Sequence, residues 1–216
     1  MAIVGHRLYP DTIVQEQVQD LSLALNILLS KKPFLFQLPD DKNMGSILMG
    51  HSSGANNALL LVLDLLKHQY NMPFHSFIGL SGPYCIQTQY NNEVYRGVQH
   101  LSPMKPVCEH TSDNFISYSP HLQLHKYLKQ HPNQKSNIPK LLFVHGMQDS
   151  TVSFTVSANA ARLLRSVGIR AQELYVDVNH LDTVLHFMFG GNTCERVLDW
   201  LEYGNEYSAD VIIDVT

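Results

Sequence analysis

The chain has 216 residues and a mass of 24.5 kDa, with 44% hydrophobic residues, 16% charged residues and a formal net charge of −4. That apolar share can build a core, which excludes a disordered chain, because disorder needs low hydrophobicity and high net charge. No run of Lys and Arg exceeds the pair Lys31-Lys32 and the pI is near 6.3, so the electrostatic footprint of a nucleic-acid binder is missing.

Ala2-Ile3-Val4 reads as a short strand that stops at the turn Tyr9-Pro10-Asp11. Thr12 and Gln15 stand at capping-box spacing, and Val14, Val18, Leu21, Leu25 and Leu28 then recur at steps of four and three, the signature of an amphipathic helix. Lys31-Lys32-Pro33 ends that helix with positive charge and a proline that cannot continue the ladder, and Asp40-Asp41-Lys42-Asn43 reads as a solvated loop. Ser46-Ile47-Leu48-Met49 is a short apolar strand that runs into Gly50-His51-Ser52-Ser53-Gly54. Residues 58–66 are apolar on nearly every helical face, which predicts a helix buried on more than one side. Phe77-Ile78-Gly79-Leu80 is a second buried strand, closed by Ser81-Gly82-Pro83, and Lys140-Leu141-Leu142-Phe143-Val144 is a third, ending at His145-Gly146. Val156, Ala160, Leu163 and Val167 mark a helix with Gly168 as its cap; Leu174-Tyr175-Val176 is a further strand, and residues 197–201 are a last short helix.

Continuous apolar strands alternating with helices predict a mostly parallel sheet covered on both faces. The expectation is a single α/β domain over residues 1–216, built as a three-layer α/β/α sandwich. Residues 85–139, rich in Gln, Asn, His and Tyr, are too long for a plain connection and read as a cap-like excursion over one edge of the sheet. Three cysteines, Cys85, Cys108 and Cys194, are an odd number without close pairing, which points away from a disulfide framework and toward a reducing compartment. No apolar run is long enough for a membrane span, and the first residues lack the pattern of a signal peptide, so a cytoplasmic protein is the provisional expectation.

Chemistry concentrates at Gly50-His51-Ser52-Ser53-Gly54. A serine hydroxyl is a weak nucleophile and must be held where a base and a carbonyl can both reach it. A sharp strand-to-helix turn does this, and glycines two residues either side keep side chains from colliding with the neighbouring strand and helix. Only Ser52 lies midway between Gly50 and Gly54. A nucleophilic serine needs a base and a carboxylate to orient that base, and in this arrangement they follow as Ser, acid, His at the carboxyl ends of later strands. Asp149 lies just past the third strand, and His180 follows the next one, which makes them the acid and the base. Asp177 is the competing acid, but it would have to fold back from the strand end that carries the base. His51 and His145 flank glycines on the wrong side of their turns to serve as the base.

Together, Gly50-His51-Ser52-Ser53-Gly54-Ala55, His145-Gly146 with Asp149, and His180 resemble an α/β-hydrolase fold serine esterase. Within that fold the chain is most similar to the isoprenylcysteine methylesterase and kynurenine formamidase branch. The likeness rests on Arg7-Leu8-Tyr9-Pro10, Gly79-Leu80-Ser81-Gly82 and Tyr118-Ser119-Pro120, with His180-Leu181-Asp182 and Gly190-Gly191 nearer the methylesterase. The resemblance implies a carboxylesterase acting on small or lipid-like esters without a cofactor; the alternatives are an amide hydrolase of the formamidase kind and a catalytically silent binding module. It also implies the backbone N–H of Ser53 as an oxyanion donor. Family members carry in addition a His-Gly-Gly loop ahead of the segment that resembles residues 2–10, and this sequence has none. The chain therefore reads as an N-terminally truncated hydrolase. One lost oxyanion donor lowers turnover roughly a hundred- to a thousandfold, about 3–4 kcal/mol. The strand at residues 2–4 would then either slide across to pair with Ser46-Ile47-Leu48-Met49 or leave that edge open.

His121 and His125, four apart and with His131 nearby, could share a helix face as metal ligands do, but no glutamate sits between them in the zinc-protease arrangement. They read as solvent-facing histidines, and no metal is expected. The Tyr and Phe residues of 84–118 read as the excursion's own small core, with the lining of an acyl pocket as the alternative. Nothing resembles a phosphate-cradling loop, so no nucleotide cofactor is expected.

Overall fold

Five strands pair in the order in which they occur: β1 (Ser46–His51), β2 (Phe74–Leu80), β3 (Lys140–Gly146), β4 (Ala171–Val176) and β5 (Val211–Asp214). All four pairings are parallel. This is a computed structural model, and it describes residues 1–30, 45–203 and 210–214. The helix-ending Lys31-Lys32-Pro33 and the loop Asp40-Asp41-Lys42-Asn43 lie outside the described residues.

Side chains alternate between the two faces of a strand, so a sheet buried on both sides must be apolar at successive positions. Phe77, Leu141, Phe143 and Ala171 enter one core, with Ala55, Leu59 and Val62 of α2 (Ser53–Lys67) and Val156, Ala160 and Leu164 of α7 (Thr155–Arg165). Their neighbours Ile78, Leu80, Leu142, Val144, Leu174 and Val176 enter the other, capped by Val197 and Trp200 of α9 (Asn192–Tyr203). Helices, sheet and helices make three layers. The densest helix is α2, where eleven of fifteen residues are buried, since α1 (Val14–Ser30) covers the side turned away from the sheet through Val18, Leu21 and Leu25.

Residues 85–139 fold into α3 (Ile86–Tyr95), α4 (Met104–Val107), α5 (Ser112–Ser117), α6 (Pro120–Gln130) and a 3-10 turn, Pro132–Asn137. Part of this stretch is no overhang. Helix α6 packs between α2 and α7 and sends Leu124 and Leu128 into the main core. The aromatic residues do not form a private core either: Tyr84 is buried against Phe143, while Tyr90, Phe115 and Tyr118 share a cluster with Val14 of α1 and Leu60 of α2.

Residues 2–4 are not a strand. Ile3 is exposed, and the segment that follows is fastened to α1 instead, where the Arg7 backbone N–H, Nε and Nη2 donate to the Asp20 carboxylate at 3.1, 2.9 and 2.8 Å. That forked contact holds the segment alongside α1 rather than along β1. Of the two outcomes expected for the sheet, the open edge is the one observed: among the described residues β1 pairs with β2 alone, and Ile47 and Met49 are exposed. Helix α1 begins one residue later than a Thr12 cap implies, because Glu16 Oε2 accepts from the Ile13 amide at 3.1 Å while Thr12 Oγ1 donates to the Arg7 carbonyl at 3.2 Å. Strand β5 and helix α8 (Asp182–Phe189) are additions that the sequence reading did not contain.

The packing around α2 makes a direct prediction. Leu59 is fully buried, and Leu59→Ala is expected to lower stability by about 2–5 kcal/mol, read as an earlier urea midpoint at unchanged slope.

Candidate active site

The register lines up the carboxyl ends of the strands. His51 stands beside Leu80, Leu80 beside Val144, and Gly146 beside Val176, so the loops after β1, β3 and β4 leave along one rim. Ser52, Asp149 and His180 are on those loops.

Ser52 bridges β1 and α2 at φ 52° and ψ −125°, a conformation that costs a non-glycine residue about 1–3 kcal/mol and persists only where its surroundings enforce it. Three hydrogen bonds do so: the Ser52 amide donates to the Leu80 carbonyl at 2.9 Å, and the Ser52 carbonyl accepts from the amides of Ala55 and Asn56 at 3.0 and 3.3 Å. Gly50 is sterically required, since a Cβ there would stand 2.5 Å from the Gly54 carbonyl oxygen. Gly54 is not, because a Cβ there meets nothing within 4 Å. The expected symmetric role of the two glycines is thus corrected to one close approach. Ser53 opens α2, so its amide has no carbonyl partner within the helix and points out with the positive end of the helix dipole.

The His180 imidazole lies between the other two side chains. Its Nε2 is 3.1 Å from Ser52 Oγ, and its Nδ1 is 2.7 Å from Asp149 Oδ2. Asp177 takes a hydrogen bond from Gln148 Nε2 at 2.8 Å instead. Asp149 has a fully buried side chain. Its Oδ1 accepts from the amides of Thr151 and Val152, each at 2.8 Å, and its Oδ2 also faces His145 Nε2 at 3.2 Å. Burial alone would raise the Asp149 carboxyl, but donors from His145, His180 and the Val152 amide overcome it and hold the group well below the usual carboxylate range. The loop sits where it does because Gly146 lets β3 run against the next loop: a Cβ there would be 2.3 Å from the Val178 carbonyl oxygen.

Four residues that the sequence reading did not place in the site hold its parts. The His180 carbonyl accepts from His51 Nε2 at 2.9 Å and from Thr183 Oγ1 at 2.8 Å, and Ser81 Oγ reaches Thr183 Oγ1 at 3.2 Å. The rings of His51 and His180 are 4.7 Å apart, and burial, ahead of any charge effect, pushes the His51 imidazole below its ordinary value. His145 is fully buried against Asp149. Both histidines stood in view beside their glycines, and what hid them was that their hydrogen bonds depend on loops meeting across the rim. Helix α8 starts where Asn179 Oδ1 accepts from the amides of Leu181 and Asp182 at 3.0 and 3.2 Å, a capping signal that was readable in the sequence.

His121, His125 and His131 do not converge on a metal, and no group of three or more His, Cys, Asp or Glu among the described residues could hold one. His121 is not solvent-facing: its Nδ1 is 2.7 Å from the Tyr84 carbonyl and burial pushes its imidazole down to about 4. His131 stacks on Tyr127. Two clefts of about 480 and 450 Å³ open beside α1, and neither is lined by Ser52, Asp149 or His180. No helix among the described residues is long and apolar enough to cross a membrane.

No family model matches the chain. Among curated proteins it is similar to "Probable isoprenylcysteine alpha-carbonyl methylesterase ICME" of Oryza sativa subsp. japonica, with 23% identity over 97% of this chain and 51% of that protein. The chain thus spans about half the length of the curated relative it matches. Among solved structures it is similar to EstE5, from a crystal soaked with p-nitrophenyl butyrate, at a TM-score of 0.66 and 17% identity over 94% of this chain and 64% of that one. It is similar also to esterase B of Lactobacillus rhamnosis, at a TM-score of 0.62 and 16% identity over the same shares, 94% and 64%. The chain has an α/β-hydrolase fold.

Two tests follow from this geometry. Gly50→Ala should unfold the turn or sharply reduce soluble protein, while Gly54→Ala should leave the melting temperature nearly unchanged. Because the folded Asp149 carboxyl lies below its ordinary 3.8, its contribution is complete above that value and is lost as pH falls through it toward the folded one. Asp149→Asn should therefore be less stable than the parent near neutrality, with the gap closing in acid unfolding curves.

Proposed function

We propose that this chain carries the catalytic machinery of a serine hydrolase that cleaves small or lipid-like carboxylic esters. The observation that carries this reading is the unbroken line Ser52 Oγ, His180 Nε2, His180 Nδ1, Asp149 Oδ2, spanned by contacts of 3.1 and 2.7 Å at a strand-to-helix turn. Ser52 Oγ attacks the ester carbonyl as its proton passes to His180 Nε2. Asp149 keeps the other ring proton on Nδ1 and balances the imidazolium that forms. The Ser53 amide, at the positive end of α2, faces the oxyanion of the tetrahedral intermediate. Collapse expels the alcohol, which takes the proton from Nε2 and leaves an acyl group on Ser52. A water then attacks that acyl group by the same path, releasing the acid and restoring the hydroxyl.

The name of the rice relative supports an ester over an amide and makes a methyl ester of a prenylated cysteine the specific candidate. The reading asks for no cofactor. Capture by a fluorophosphonate probe is the test, with hydrolysis of p-nitrophenyl acetate as its companion. The parent protein should label at one serine, and Ser52→Ala should not label at all. Asp149→Asn should lower turnover on the order of 10⁴-fold through the wrong imidazole tautomer, as in other enzymes with this arrangement. Equal labelling of the parent and Ser52→Ala would remove the proposal, and faster turnover of N-formylkynurenine than of any ester would move it to amide hydrolysis.

A further inference from the structure

We propose that His145 is a positioning residue for Asp149, its Nε2–H edge held by the Val152 carbonyl against the carboxylate that His180 also meets; this rests on the reading of Ser52, His180 and Asp149 given above. His145 is the last residue but one of β3 and is fully buried. Its Nε2 lies 2.9 Å from the Val152 carbonyl, which only accepts, so the ring must carry a proton there, and the same N–H edge stands 3.2 Å from Asp149 Oδ2. On the opposite side Ser157 Oγ, itself fully buried on α7, stands 2.7 Å from Nδ1 and can donate to it. Strand, loop and helix thus select one tautomer of His145.

The consequence falls on His180. Oδ2 of Asp149 meets two imidazole nitrogens, His180 Nδ1 at 2.7 Å and His145 Nε2 at 3.2 Å, while Oδ1 takes two amides. Each positive N–H end set against the carboxylate offsets part of its pull on the imidazolium that forms at His180. His145 therefore tempers the attraction of Asp149 for that cation, so that His180 can give its proton to the departing alcohol. The titratable groups that face this cluster are His51 from the end of β1, His145 from β3, Asp149 from the loop after β3 and His180 from the loop after β4; Asp177 is turned to Gln148.

The test compares His145→Phe, which keeps a ring and loses the donor, with His145→Gln, whose amide N–H can reach the same oxygens. For kcat/KM on p-nitrophenyl acetate, and for the rate of fluorophosphonate capture, His145→Phe should move the acid limb of the pH profile upward by roughly half a unit. His145→Gln should restore the parent limb. A role limited to packing would lower the rate and leave the limb where it was, and that result overturns the proposal, as does an equal shift in both variants. Should His145→Phe fail to fold, side-chain ¹⁵N–¹H spectra of the parent protein decide: a proton on His145 Nε2 supports the assignment and one on Nδ1 alone overturns it. A parent protein that folds but captures no probe would instead remove the reading of Ser52, while the spectra still decide whether His145 turns a protonated Nε2 toward Asp149.

Discussion

Parallel pairing of β1 through β4 is the constraint from which the site follows. A parallel ladder forces every connection to return to the same end of the sheet before the next strand begins, so every loop at the carboxyl ends leaves from one rim. Here the register sets His51 beside Leu80 and Leu80 beside Val144. Ser52 and His180, 128 residues apart in the chain, meet at 3.1 Å for that reason. The two apolar cores, one on each face, hold the sheet flat enough against its helices for this alignment to persist.

Placing a carboxylate at such a rim carries a penalty, because a fully buried Asp149 loses its hydration. The structure answers with N–H groups around it: two amides donate to Oδ1, and on Oδ2 the His180 imidazole stands at 2.7 Å and the His145 ring at 3.2 Å. The amides come from the loop's own turn, so the sequence Asp149-Ser150-Thr151-Val152 both carries the charge and supplies half of its compensation. Gly146 matters for the same purpose, since a side chain there would push away the Val178 carbonyl and separate the two loops. Burial and hydrogen bonding oppose each other at this group, and hydrogen bonding prevails.

What the sequence made legible was local. Residues 58–66 announced a buried helix because only Asp64 among them is polar, and Ser52 stood out because a motif, a strand and a helix agreed on one residue. What stayed hidden depended on partners far along the chain. Three apolar residues at positions 2–4 look like a strand, yet the Arg7–Asp20 pair ties the segment that follows to α1 instead. Val211-Ile212-Ile213 carries a plain β signal and Asn179 a plain cap for α8, but each takes its place only through a partner, β4 for the strand and the Leu181 and Asp182 amides for the cap. The glycines of the turn look equivalent in the sequence, and only the approach of β1 to α2 separates the required Gly50 from the unconstrained Gly54.

Two different kinds of restraint then meet at His180. Ser52 is fixed through its backbone, by a left-handed turn that the Leu80 carbonyl and the first turn of α2 enforce. His180 is fixed through its carbonyl, which accepts from His51 on β1 and from Thr183 on α8, itself backed by Ser81 at the end of β2. The histidine that neighbours the serine in sequence therefore also holds the loop of the histidine that meets it in space. With both backbones held, the remaining freedom at the contact is rotation of two side chains, and Asp149 removes most of it from the imidazole. A hydroxyl and a ring nitrogen, each anchored by strands of the same sheet, are thereby kept within hydrogen-bonding reach at 3.1 Å.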